Sequence, residues 1–324
     1  MFFDIGASAK VASTGLSVVK PLWSVVHGLR IKRALKRDIG EILGIQEDQD
    51  CSYRVGMSHP TVQRGSFHPD DVTAFRALAG PSLSRCLETG WLNLQDSLAS
   101  DLESNLILIG APGPESLSRL VFGYRQRDGG GLSFTGDTLD LPFRWQEDVS
   151  VVRANCLRYQ QGGLVTTRPN WPILDSRTGS VISRYPETNC SGFLLSDYLL
   201  VTKVPNFITP GAQASGRSVV SFGGSHGIGT RAVSLLLDSS EVMRRLGEEY
   251  SKGGSRYFQA LLEARSIVHE PRTGSHAKRL ALVAFVPLAF HDSTLDHSRQ
   301  AIYAHYTDWA REAGGRGIEI PSPD

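Results

Sequence analysis

Several ready-made chemistries are missing from this chain. Cysteine is scarce: Cys51, Cys86, Cys156 and Cys190 stand far apart in 324 residues, with no C-x-x-C pair. That excludes a disulfide scaffold and zinc-finger spacing, and it reads as free thiols in a reducing compartment. Neither charge sign is in excess, with 34 basic against 33 acidic side chains. A general nucleic-acid binder carries a basic surplus, so specific nucleic-acid binding is not expected. No H-E-x-x-H, Walker A or G-x-G-x-x-G pattern occurs, and no repeat of known period stands out. His269, Glu270 and His276 cluster without metal-ligand spacing, so no metal is expected. No cofactor is legible in the sequence.

Long uncharged apolar runs are also absent. The apolar stretch Val11 to Leu29 is broken by Lys20, Pro21 and His27, and Arg30, Lys32, Arg33, Lys36 and Arg37 follow it. A spanning helix needs about 20 apolar residues, and a signal peptide carries its charges before its apolar part. The expectation is a cytoplasmic chain with an ordinary N-terminal helix. The alternative is a partner- or membrane-associated protein acting through residues 11–37.

What is present is an ordinary globular composition, 40% hydrophobic and 21% charged, on a chain long enough for a substantial core. Residues 1–48 read as a helical segment. Residues 49–324 read as an α/β domain with a loop-rich insertion at 123–190, where Gly129, Gly130, Gly131 and Thr178-Gly179 mark turns. His68-Pro69-Asp70-Asp71 looks like a helix start, with acids at the positive dipole end, and a further helix is expected from Pro81 to Leu87. Asn105 to Ile109 is a continuous apolar run, as in a strand covered on both faces. Asp197 to Val204 and Ser218 to Phe222 read the same way. Short strands are expected at Val149–Arg153 and Val181–Tyr185. Tyr257 to Val268 and Leu280 to Phe290 form a C-terminal antiparallel hairpin, and His297 to Ala313 a last helix. The fold expected is a mostly parallel, Rossmann-like sheet with flanking helices.

Two turns carry the functional interest. Gly223-Gly224-Ser225-His226-Gly227-Ile228-Gly229-Thr230 joins a buried strand to a helix. Glycines let backbone approach a ligand, and the first amides of a helix attract an anion. The expected ligand-binding residues are Gly223, Gly224, Ser225, His226, Gly227, Gly229 and Thr230, with Gly110, Ser116 and Ser118 of the first turn as the opposite wall. Glu115 would repel an anion there. Two such turns on one parallel sheet would open on the same edge. The lead reading is a small-molecule binding or sensor module for a nucleotide or another anionic metabolite.

The same octad satisfies G-x-S-x-G, a nucleophile-elbow pattern. The alternative is therefore a serine hydrolase with Ser225 as nucleophile, Asp292 as acid and His297 or His305 as base. Lys203, Asn206, Arg144 and Trp145 are further polar or ring-stacking candidates.

The blocks Asn105-Leu-Ile-Leu-Ile-Gly-Ala-Pro and Val219-Val-Ser-Phe-Gly-Gly-Ser-His-Gly-Ile-Gly-Thr, with Asp197-Tyr-Leu-Leu-Val, resemble a poorly characterised group of bacterial Rossmann-like modules. The resemblance spans residues 100–290. It implies a ligand- or nucleotide-sensing domain and carries over no catalytic set.

Overall fold

The computed structural model describes residues 38–44, 51–55, 68–79, 102–112, 117–126, 132–145, 157–161, 164–168, 171–183 and 187–312. The basic segment 11–37, the expected helix at 81–87, the expected strand at 149–153, Glu115 and Ser116 lie outside them.

Six strands form the main sheet: β1 (Cys51–Val55), β2 (Asn105–Ile109), β3 (Ser196–Pro205), β4 (Ser218–Gly224), β5 (Tyr257–Arg265) and β6 (Arg279–Leu288). Their spatial order is β1-β2-β4-β3-β5-β6. β1 and β4 flank β2 in parallel. The pairs β4–β3, β3–β5 and β5–β6 are antiparallel.

This corrects the expectation of a mostly parallel, Rossmann-like sheet. A continuous apolar run reports burial on both faces, and it says nothing about strand direction. Direction is set by the connections. Between β3 and β4 the chain has room only for the single turn Pro210–Ala214, not a crossover helix. Asn206 N donates to Arg217 O at 2.8 Å, closing the return, so β4 comes back beside β3 antiparallel. The hairpin expected near the C-terminus is present as β5–β6, with Val268–Glu270 and Gly274–His276 pairing at its tip.

The helices, in chain order, are α1 (Pro69–Ala79), α2 (Leu117–Val121), α3 (Pro210–Ala214), α4 (Gly227–Arg231), α5 (Val233–Asp238), α6 (Ser240–Gly253) and α7 (Asp292–Glu312), and α1, α5 and α6 cover one face of the sheet. Ile107, Ile109, Leu199, Val201, Val220, Phe222 and Phe258 pack against Ala74, Phe75 and Leu78 of α1, Val233 and Leu236 of α5 and Val242, Met243 and Leu246 of α6. Ser239 caps α6, its hydroxyl accepting from Val242 N at 3.3 Å. Each such side chain, fully buried, stabilises the fold by about 1.5–3 kcal/mol.

The opposite face packs under α2, α7 and the 123–190 region. Leu106, Leu108, Leu200, Val204, Val219 and Leu261 meet Leu139, Phe143, Trp145 and Ile173 there. The region contributes short antiparallel pairs, among them Phe143–Trp145 with Ile173–Asp175 and Ser180–Ile182. Gly179 turns the last pair at φ +71°, where a hairpin turn is expected from Thr178-Gly179. α7 starts at Asp292, ahead of the expected His297, and is tied down by Arg299 Nε on Phe207 O (2.8 Å) and Tyr303 on Ile208 O (2.9 Å). Among the described residues, no helix is long and apolar enough to cross a membrane.

Candidate functional site

The two glycine turns meet. Gly110 N donates to Phe222 O at 2.9 Å, and a Cβ on Gly223 would fall 3.0 Å from Gly110 O. Their parallel strands deliver both turns to the same sheet edge, as the sequence suggests. Among the described residues the two turns touch directly, backbone against backbone, at Gly110 and Gly223.

The reason is a set of contacts that fit only glycine. A Cβ on Gly229 would lie 2.1 Å from Tyr198 O, and one on Gly224 would lie 2.3 Å from both His226 O and Thr230 N. These glycines let the first turn of α4 close onto β3 and β4. Four of the amides expected to hold an anion are thereby used internally. Gly224 N donates to Thr230 Oγ1 at 2.9 Å, Ser225 N to Tyr198 O at 3.0 Å, Thr230 N to His226 O at 3.4 Å, and Gly229 N to Asp197 Oδ2. Asp197, entering from β3, puts the protein's own carboxylate where the guest anion was expected.

Asp197 has no solvent exposure, and three donors satisfy it. Beside Gly229 N, its Oδ1 accepts from Tyr198 N at 2.8 Å and lies 3.0 Å from His226 Nδ1. An ionised carboxylate only accepts, so Nδ1 carries a hydrogen toward Asp197 and Nε2 is the ring nitrogen left over. That Nε2 is buried and has no hydrogen-bond partner. Ser225 Oγ is likewise buried and without a partner. An unsatisfied buried polar atom costs about 1–3 kcal/mol, so each calls for a physical reason.

The start of α1 covers the corner. Asp70 is buried, with Oδ2 3.4 Å from His68 Nδ1 and Oδ1 3.7 Å from Arg231. A Cβ on Gly227 would meet Asp70 Oδ2 at 2.3 Å and the His68 ring at 2.5 Å. Asp71 turns its carboxyl toward Gly110 and hydrogen-bonds Thr230. Burial, with Asp70 alongside, pushes the Asp71 carboxyl up to about 7, against the pull of the Thr230 hydrogen bond.

The hydrolase constellation is not assembled. Asp292 and His297 are exposed on α7, and Asp292 Oδ1 accepts from Gln213 Nε2 at 3.2 Å. Gln213 belongs to α3, which precedes β4, whereas Ser225 follows β4. A seven-residue strand, about 20 Å long, separates the two ends. His305 Nε2 lies 2.7 Å from Asp137. His226 does not replace them, because it follows Ser225 directly, is extended (φ −134°, ψ 177°), and shares no hydrogen bond with it.

Other predicted residues have structural partners. Ser118 is buried on α2. Asn206 Nδ2 clamps Leu102 O and Ser104 O, each at 2.8 Å. Lys203 Nζ donates to Ile42 O at 2.7 Å, and desolvation pulls its ammonium down to about 8. Trp145 packs on Gly223. His269 joins Ser275 Oγ (2.7 Å) to Leu194 O (2.8 Å), and no group of metal-ligating side chains occurs among the described residues.

Sequence reasoning missed Asp197, Asp70, Asp71 and His68. The signal for Asp197 was an acid at the head of a largely apolar strand. No protein-family model matches the chain, and neither a curated protein nor a solved structure matches it.

Proposed function

We propose that the chain is a small-molecule-binding module whose recognition atom is His226 Nε2. The observation that carries this reading is a buried imidazole nitrogen without a partner, on a ring held by a fully satisfied Asp197. A structural histidine ordinarily uses both nitrogens, as the half-buried His269 does here.

The chemistry of the corner selects the ligand. With the ring in its neutral form, Nε2 accepts from an N–H or O–H donor. Asp197 lies against the ring, and Asp70, Asp71 and Arg231 flank the neighbouring Gly227 and Thr230. Such a field disfavours phosphate and favours a neutral or cationic guest. The ligand class is thus a hydrogen-bond donor, such as a nucleobase edge, a polyol or an amine, bound by side chains and not by backbone amides. The anionic-metabolite reading is weakened because four of the amides it needs, those of Gly224, Ser225, Gly229 and Thr230, already have partners.

Thermal shift against nucleosides, polyols, amines and sugar phosphates tests the proposal. A donor compound should raise Tm, and His226→Phe should abolish that shift. Absence of any shift across the panel, or an undiminished shift in His226→Phe, would overturn it.

A further inference from the structure

We propose that an acidic, extended peptide of a partner protein docks as an added strand along Arg279–Leu282, in the groove between β6 and the α5–α6 corner. This surface is separate from the His226 corner, and its lining includes none of residues 223–230.

β6 is the last strand of the main sheet, and among the described residues its one ladder is with β5. Alternate N–H and C=O groups along β6 therefore point away from the sheet without a ladder partner. Proteins usually blunt such an edge, and the far half of β6 is blunted twice. A register shift at Leu261/Leu262 leaves Val283 unopposed as a bulge, and Pro287 has no amide hydrogen to donate. Between Arg279 and Leu282 neither device occurs. That stretch matches a partner strand about 13 Å long.

The groove gives this stretch an apolar floor and a charge. Its volume is about 390 Å³, and Leu280 and Leu282 of β6 line it together with Leu235 of α5 and Val242 of α6. An added strand alternates its side chains between faces, so every second one would rest on these residues. Lys278 and Arg279, both exposed, stand at the start of the stretch. Neither forms an ion pair among the described residues, and Arg279 donates instead to Ser266 Oγ at 2.9 and 3.0 Å. Glu241 is held by Arg245 at 3.3 Å along α6, which leaves Asp238 as the acid facing both cations across the groove. The surplus charge is positive, so the peptide that fits brings a carboxylate to Lys278 and Arg279. A second copy of β6 fits less well: residues 279–290 contain no acid, and the copy carries the same bulge.

Selection of a random octapeptide display library on the full chain tests this. Recovered peptides should alternate apolar residues and carry aspartate or glutamate toward one end. A synthetic peptide of the recovered sequence should slow amide exchange within 279–282. Lys278→Glu should weaken its binding about tenfold or more and leave Tm unchanged. Methylating alternate peptide nitrogens should abolish binding for one set and spare it for the other, because only one edge of an added strand faces β6. Recovery of no peptide, binding indifferent to Lys278→Glu, or tolerance of both methylated sets overturns the proposal. A dimer that protects 279–282 with no peptide present overturns it in favour of a second copy.

Discussion

His226 Nδ1 lies 3.0 Å from Asp197 Oδ1, and neither side chain meets solvent. The contact joins the glycine turn to a strand residue 29 positions earlier in sequence. It fixes the ring, its tautomer and the place of α4 in one step.

Removing Asp197 should therefore be severe. Asp197→Ala strands Gly229 N, Tyr198 N and the imidazole together. A loss of about 3–5 kcal/mol is expected, as for a broken buried pair. Urea unfolding followed by circular dichroism measures it. A loss under about 1 kcal/mol would mean that water replaces the carboxylate without penalty.

Glycine substitutions should divide sharply by location. Gly229→Ala drives a methyl into Tyr198 O, where backbone must shift, and should cost at least about 3 kcal/mol. Gly179→Ala meets no atom within 4 Å and bears only its φ of +71°, so about 1 kcal/mol is expected. Matched thermal melts of the two variants check the order.

The positions of these glycines were legible in the sequence, and their purpose was not. Gly223 to Thr230 announces a tight strand-to-helix turn because its residue types permit little else. Whether its amides face a guest or a neighbour depends on Asp197, and no local pattern pairs that residue with Gly229. Asp70 and Asp71 were legible as acids at a helix start, and α1 begins there. That both turn inward onto the glycine turns is tertiary information. Strand existence was legible for β2, β3 and β4 from apolar runs. Strand direction was not, because it is set by the short return through residues 206–217, and an apolar run carries no information about the connection that follows it.

Ser225 should not react as a catalytic serine. No base hydrogen-bonds its hydroxyl, and the residue is fully buried. A fluorophosphonate probe should leave the folded protein unlabelled at a level indistinguishable from Ser225→Ala. Stoichiometric labelling at Ser225 would restore the hydrolase reading.

Asp71 predicts how stability itself follows pH. Its folded-state value of about 7 lies above the ordinary 3.8, so the native state binds the extra proton between those limits. The contribution is fully present below about pH 4 and is lost as pH rises through 7. Asp71→Asn should flatten that part of the curve and gain on wild type at pH 8.

Lys203 predicts a slope of opposite sign at higher pH. Its ammonium is buried, with Ile42 O as acceptor and the Tyr250 ring 5.7 Å away. Desolvation by burial, then repulsion from Arg256, lowers its folded-state value from 10.5 to about 8. Between those limits the unfolded chain holds a proton that the native state has shed. Unfolding free energy should therefore climb as pH rises from 8 to 10.5, by up to about 3 kcal/mol. Lys203→Met removes the titrating group while keeping an apolar stem of similar length, so the climb should vanish. Denaturant midpoints at pH 7.5, 9 and 10.5 for both chains test this. An equal climb in the variant would assign the slope to another group and leave Lys203 an ordinarily solvated amine.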